Sequence, residues 1–109
     1  MSKYHKIVNP ELGNDVSFYG NLGAVANFEE FTGVSITKVF SEGQVKFSEI
    51  LRFMYECYKV SHLRQKISYV DFETFKLYTD NSILKVFPLV IADIMEEMGI
   101  DEKTQKKAK

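Results

Sequence analysis

The sequence predicts a mainly α fold, a compact bundle of four to five helices with a small N-terminal β-hairpin or extended arm. The chain has 109 residues, which is close to the commonest size of a single domain. Hydrophobic residues make up 45% and charged residues 27%, ordinary values for a globular protein. Apolar residues recur at three- and four-residue spacing in several segments, as they do in amphipathic helices.

The N-terminal segment contains two short runs of strand-forming residues. These are Lys6–Val8 and Val16–Tyr19, and Pro, Gly, Asn and Asp residues between them favour turns. An isolated two-stranded hairpin is marginal in water, so it would need helices or a partner to pack against. We therefore divide the chain into three parts: residues 1–20 as a hairpin or arm, 21–99 as a helical domain and 100–109 as a polar tail expected to be disordered.

The first predicted helix runs from Leu22 to Thr32. Asn21 is a favourable N-cap residue, and Gly33 stands where a left-handed C-terminal cap belongs. A short second helix over Ser35–Phe40 follows it. A third helix, Phe47–Val60, has the strongest pattern of the chain.

The third helix has two unequal faces on a helical wheel. Its apolar arc covers about 160° and its polar arc about 100°, so we expect it to touch two neighbours. The second neighbour is either another helix of this chain or a different molecule. Phe53 falls outside the apolar arc. The polar arc holds Ser48, Glu49, Arg52, Glu56 and Lys59.

The C-terminal half predicts a connection and two further helices. Residues 61–67 form the connection, and Ser68 or Asp71 caps a shorter helix that ends near Tyr78. The last helix spans about Ser82–Met98 and stops at Gly99. Pro88 lies within it, so this helix is either kinked or divided into two pieces with the proline near the start of the second.

The sequence offers no catalytic or metal-binding set, and we expect neither an enzyme nor a cofactor. Cys57 is the only cysteine, and a lone cysteine is most often a small buried hydrophobe. His5 and His62 have no carboxylate or cysteine at ligand spacing, so both are expected at the surface. The adjacent Glu29 and Glu30 point about 100° apart on a helix and cannot form a carboxylate dyad by themselves.

Nucleic-acid and membrane partners are not expected. The net charge is −1, whereas phosphate contacts normally need a basic excess. A helix-turn-helix formed by the first two helices would offer only Thr37 and Lys38 for base contacts, without an arginine for guanine. The longest apolar stretch, Val86–Ala92, is far shorter than the roughly 20 residues of a membrane span. The first residues also lack a secretory signal, which predicts a cytoplasmic protein.

The remaining signal is apolar surface. The apolar faces hold more residues than a single core needs. The four surplus residues are candidate partner-binding residues: Phe53, Tyr55, Val86 and Leu89. Exposed apolar patches often mark partner sites. The alternative is that the domain buries these residues itself or in a homodimer.

The segment Asn27–Ser35 resembles the Phe-Glu-Glu-x-Thr-Gly-x-Ser segment of phage tail assembly chaperones. The motif residues are Phe28, Glu29, Glu30, Thr32 and Gly33. The flanking stretch Val16–Leu22, the helix beginning at Phe47 and the capped shorter helix occur in the same order in that family. Pro88 in the closing helix departs from its pattern.

The resemblance covers residues 16–99 and implies a function. Proteins of this family bind the tape measure protein of a long-tailed phage or prophage and assist assembly of the tail tube around it. They act in the host cytoplasm and are absent from the mature virion. The implied partners are therefore the tape measure protein and the major tail tube protein, with self-association of the chaperone. The alternative is a small helical DNA-binding regulator of phage or bacterial origin.

Overall fold

The computed structural model describes residues 3–41 and 45–99 and shows a mainly helical protein with a small two-stranded antiparallel sheet. Six helical segments follow the sheet in the described residues, and the fifth is a single turn. The predicted disorder of residues 100–109 concerns a segment outside the described residues. The elements are β1 (His5–Asn9), β2 (Gly13–Phe18), α1 (Leu22–Thr32), α2 (Ile36–Ser41), α3 (Phe47–Gln65), α4 (Phe72–Leu77), α5 (Asn81–Leu84) and α6 (Phe87–Glu97).

Of the two N-terminal alternatives, the hairpin is confirmed. β1 pairs antiparallel with β2 in a register that places His5 opposite Phe18 and Ile7 opposite Val16. The buried Asn9 closes the turn, because its Oδ1 accepts the backbone N–H groups of the second and third residues after it, both at 3.0 Å. Its Nδ2 donates to the carbonyl of Tyr78 at 2.9 Å, which ties the turn to the end of α4.

The hairpin packs against α3 and α6, which supplies the support that a short hairpin needs. The N–H of Tyr19, just after β2, donates to the carbonyl of Cys57 in α3 at 3.0 Å. Gly20 passes so close to α6 that a Cβ on it would lie 2.7 Å from the carbonyl oxygen of Val90. His5 Nε2 lies 2.7 Å from Oδ2 of Asp93. A side chain at position 20 would therefore push the hairpin away from α6.

Helices α1 and α2 follow the prediction closely. Asn21 accepts from the N–H of Ala24 at 2.9 Å, and Gly33 ends α1 in the left-handed conformation with φ 73°. The prediction for α3 is wrong at its C-terminus, because the helix continues through the expected connection to Gln65. Lys66, with φ 62°, provides its left-handed cap.

The closing region is divided at the proline. Asp71 caps α4 by accepting from the N–H of Thr74 at 2.9 Å. The last helix is not a single kinked rod: α5 ends at Leu84, and Pro88 lies in the first turn of α6. At that position the missing proline N–H would have had no helical partner, so the proline starts a helix without cost to hydrogen bonding.

Helix α3 lies at the centre of the described structure. It packs against β2, α1, α4 and α6. Burial extends around almost its whole circumference between Leu51 and Tyr58, where only Arg52 is partly exposed. The largest fully buried aromatic residues of the core are Tyr58, Phe18, Phe28, Phe53 and Phe75.

Candidate functional site

The family-like motif forms the corner between α1 and α2. Thr32 Oγ1 donates to the carbonyl of Phe28 at 2.7 Å and accepts from the N–H of Val34 at 3.1 Å. The Gly33 N–H donates to the carbonyl of Glu29 at 2.8 Å. Glu29 Oε2 accepts from the N–H of Ile36 at 2.7 Å, at the start of α2. The threonine, the glycine and the first glutamate thus fix how the chain turns.

The start of α2 is capped by an acidic side chain of this corner. A helix N-terminus attracts phosphate through its unpaired N–H groups. Here the carboxylate of Glu29 occupies an N–H at the start of α2, and its charge repels phosphate. The side chains of the other two motif residues do not take part in this turn. Phe28 is fully buried against Phe53, with ring centroids 5.7 Å apart, and Glu30 is exposed.

A groove opens beside this corner, between α1 and α3. Its volume is about 340 Å³. A second depression of about 210 Å³ adjoins it toward α4 and shares two of its residues, Phe31 and Arg52. We call the first of these the Arg52 groove. It is lined by Asn27, Glu30, Phe31, Arg52, Glu56 and Lys59.

Arg52 organises the groove through stacking and ion pairing. Its guanidinium carbon lies 3.4 Å from the ring centroid of Phe31 and 4.8 Å from that of Phe72. Its Nε donates to Glu56 Oε2 at 2.9 Å, and its terminal NH2 lies 2.8 Å from the same oxygen. Cation–π stacking and a charge-assisted hydrogen bond therefore hold one side chain from two directions.

Glu56 is the unexpected residue of the site. Its side chain is 1% exposed, although the helical wheel places it on the polar arc. Its Oε1 lies 3.6 Å from Nζ of Lys59, and no group of the described residues hydrogen-bonds to it. The polar arc of α3 is therefore covered at Arg52 and Glu56, whose side chains are 13% and 1% exposed, because α1 packs over this side as well. The only sequence signal was the wide apolar arc, which suggested two neighbours.

Three of the four predicted partner-binding residues belong to the core, so the predicted exposed surface is wrong for them. Phe53 is fully buried between Phe28 and Phe87, whose rings meet it edge-on at 5.7 and 6.1 Å. Tyr55 is buried against α4, and its hydroxyl donates to the carbonyl of Val70 at 2.9 Å.

Val86 and Leu89 lie close together in the sequence but differ in burial. Val86 is buried because the chain breaks between α5 and α6 and turns this residue inward. Leu89 is 49% exposed, in agreement with the predicted surface position, but it does not line the Arg52 groove. The structure therefore does not bring the four residues together as one site.

Burial raises the pKa of two groups on α3. Loss of hydration raises the pKa of Tyr55 to about 12 and raises the pKa of Cys57 well above its usual value. Cys57 is fully buried, as predicted for a small hydrophobe. Within residues 3–41 and 45–99, no group of three or more His, Cys, Asp or Glu is placed to hold a metal ion.

Neither histidine is fully at the surface, where the sequence predicts both. His62 is buried at the C-terminal end of α3, contrary to the expected surface position. Its Nε2 accepts from the N–H of Ser17 at 3.3 Å, so the ring proton lies on Nδ1 and is donated to the carbonyl of Ser68 at 2.7 Å. His5 is half-buried and pairs with Asp93. Both histidines hold elements together.

Comparisons with protein-family models, with curated proteins and with solved structures find no match to this chain. Over the described part of the chain, none of the helices combines the length and the apolar character that crossing a membrane requires.

Proposed function

We propose that this chain is a tail assembly chaperone of a long-tailed phage or prophage, which binds the tape measure protein and assists tail tube assembly without catalysis. The observation that carries the proposal is the resemblance of Asn27–Ser35 to the family segment. The same segment contributes Asn27, Glu30 and Phe31 to the Arg52 groove, and Glu30 is the one motif residue among them.

The groove suits a helical client better than a small substrate. Phe31 stands at its edge and is 65% exposed, although one face of its ring lies against the Arg52 guanidinium. An exposed aromatic side chain beside a polar floor is a feature of protein–protein contacts, where aromatic residues and arginine are enriched. Amphipathic helices bind such grooves through anchors at three- and four-residue spacing. We place the client contact here, in place of Phe53, Tyr55 and Val86.

The test is co-expression with the tape measure protein of the phage or prophage that encodes this chain. We expect that protein to be soluble only together with the chain and to co-purify with it. Phe31→Ser in this chain should reduce the soluble fraction of the tape measure protein. Val8→Ser is the matched control, because Val8 is 68% exposed, is also apolar and lies on β1 outside the groove. A client that stays insoluble with the unaltered chain would contradict the proposal, and sub-micromolar sequence-dependent duplex binding would favour the DNA-binding alternative.

Self-association belongs to the same proposal. A chaperone that covers a long rod-like client needs many copies along it, and exposed apolar side chains such as Leu77 and Leu89 are available for contacts between copies. We expect concentration-dependent oligomers in sedimentation velocity experiments. A strict monomer from micromolar to millimolar concentration would contradict this part.

A further inference from the structure

The buried ring of His62 joins β2 to the connection between α3 and α4 through both of its nitrogens. Nε2 accepts the N–H of Ser17 in β2 at 3.3 Å, and Nδ1 lies 2.7 Å from the carbonyl oxygen of Ser68 in the connection. A carbonyl oxygen only accepts hydrogen bonds, so Nδ1 carries the ring proton and Nε2 has none. The hydrogen bond to Ser17 therefore exists only while the imidazole is neutral.

Protonation of this ring affects its two hydrogen bonds in opposite ways. A proton on Nε2 would face the N–H of Ser17, and two donors cannot bond to each other. The bond from Nδ1 to Ser68 keeps its donor and becomes charge-assisted, which strengthens it. The connection is also held at Val70, whose N–H donates to the hydroxyl oxygen of Tyr58 at 3.0 Å. The loss is therefore confined to the contact between His62 and β2.

The titratable groups around His62 allow the ring to become charged in mild acid. A depression of about 210 Å³ is lined by His62 together with Asp15 of β2, Tyr58 of α3 and Tyr69 of the connection. The Asp15 carboxylate attracts an imidazolium. Both tyrosines remain neutral at such pH, and the Tyr58 ring centroid lies 4.3 Å from that of His62. Histidine side chains ordinarily titrate near pH 6.5, so a modest fall in pH changes this contact.

The other histidine of the sequence responds in the opposite direction. His5 Nε2 lies 2.7 Å from Oδ2 of Asp93, so protonation turns this contact into an ion pair and strengthens the hold of β1 on α6. Acid therefore weakens the attachment of β2 to α3 while it secures β1 on α6. The bond from the Tyr19 N–H to the Cys57 carbonyl contains no titratable group and keeps β2 beside α3.

We propose that His62 is a pH-sensitive contact of the hairpin: the neutral ring holds β2 on α3, and the protonated ring releases the Ser17 amide. The released amide loses its acceptor within a folded chain, so the effect is a local loosening and not unfolding. The inference concerns the chain alone and goes beyond the proposed function, so its failure would leave the chaperone assignment untouched.

The first test observes the ring proton directly. Long-range ¹H–¹⁵N NMR spectra of the full chain are recorded as the pH is lowered from 7.5 to 5.5. At pH 7.5 we expect His62 to carry its proton on Nδ1, and Nε2 should become protonated as the pH falls. A ring with its proton on Nε2 at pH 7.5 overturns the proposal, because Nε2 could not then accept from Ser17.

The second test measures hydrogen exchange of the Ser17 amide over the same pH range, corrected for the intrinsic pH dependence of exchange. The protection factor should fall roughly tenfold or more, since a buried donor loses its acceptor. Its midpoint should coincide with that of the His62 ring shift. The Val70 amide should stay protected in the same samples, because its acceptor on Tyr58 does not titrate there. Constant protection of Ser17 overturns the proposal.

Two variants assign the effect to one histidine. His62→Gln keeps a donor and an acceptor but does not titrate in this range, so the protection of Ser17 should become independent of pH. His5→Gln is the matched control and should keep the fall or enlarge it, because it removes the pair that secures β1. A fall that persists in His62→Gln, or that disappears in His5→Gln, overturns the proposal. Should His62→Gln not fold, His5→Gln decides alone, since His62 is then the only histidine and the fall must follow its ring shift.

Discussion

The two sides of α3 are buried by different chemistry. On the core side, Phe53 packs edge-on between the apolar rings of Phe28 and Phe87. On the groove side, an arginine and a glutamate four residues apart neutralise each other beneath an aromatic ring. Among the described residues, Glu56 Oε1 on the groove side has no hydrogen bond and lies 3.6 Å from Lys59 Nζ. The comparison shows that one helix is buried by apolar contacts on one side and by paired charges on the other.

The largest expected effect concerns the core side. Phe53→Ala should lower the free energy of unfolding by about 3–5 kcal/mol, because it removes a fully buried ring and leaves a cavity among aromatic neighbours. Phe31→Ala, which removes the same side chain at the exposed rim, should cost about 1 kcal/mol, mostly from the lost stacking on Arg52. Urea unfolding measures both. Equal losses of unfolding free energy in the two variants would show that the two sides of α3 contribute equally to stability.

The next effect concerns the ion pair. Arg52→Met should cost about 3 kcal/mol, since it leaves the buried Glu56 carboxylate with only Lys59 nearby. The double variant Arg52→Met/Glu56→Met should recover most of this loss, because apolar side chains of similar volume often replace a buried pair without penalty. The measurement is thermal or urea unfolding of the single and double variants. A double variant that recovers none of the loss would mean that the pair itself, and not the unpaired charge, accounts for it.

Elements fixed by nearby residues could be predicted from the sequence. Asn21 and Gly33 determine the two ends of α1, because cap geometry depends on only a few neighbouring groups. Pro88 predicts that the last helix is either kinked or divided into two pieces. The structure shows the divided form, with the proline in the first turn of α6. The hairpin followed from strand-forming runs and turn residues, although its packing partners did not.

Burial of polar residues could not be predicted, because it depends on contacts distant in sequence. The expected connection after Val60 is helical since its polar side chains bond to β2: Ser61 Oγ lies 2.6 Å from Ser17 Oγ, and Gln65 Nε2 donates to the same Ser17 oxygen at 2.9 Å. Periodicity likewise shows which residues of a helix share a face, but it does not show that a neighbour also covers the polar face. For that reason the sequence predicts Phe53 as a partner-binding residue and assigns Glu56 to the polar arc, whereas both are buried.

A smaller effect is expected in alkaline solution. The pKa of Tyr55 is about 12 in the folded protein and about 10 in the unfolded chain, so the unfolded chain loses its proton first. The contribution to stability is therefore complete below pH 10 and falls as the pH rises from 10 to 12. Urea unfolding between pH 8 and 11 should show this decline, and Tyr55→Phe should make it shallower. An unchanged slope in that variant would assign the decline to other groups.

The smallest expected change in stability is at Leu89, and Val86 provides the comparison for it. Val86 and Leu89 flank Pro88, but the break between α5 and α6 turns Val86 into the core and leaves Leu89 49% exposed. Leu89→Ser should therefore change the free energy of unfolding by no more than about 0.5 kcal/mol, as surface substitutions usually do. Val86→Ser should cost about 2 kcal/mol, which would lower the melting temperature by several degrees. Co-purification of the tape measure protein with Leu89→Ser then tests a contact separate from the Arg52 groove. If Leu89→Ser retains its client fully, Leu89 is not a client contact. If Leu89→Ser loses the client as Phe31→Ser does, the binding surface extends from the groove to α6.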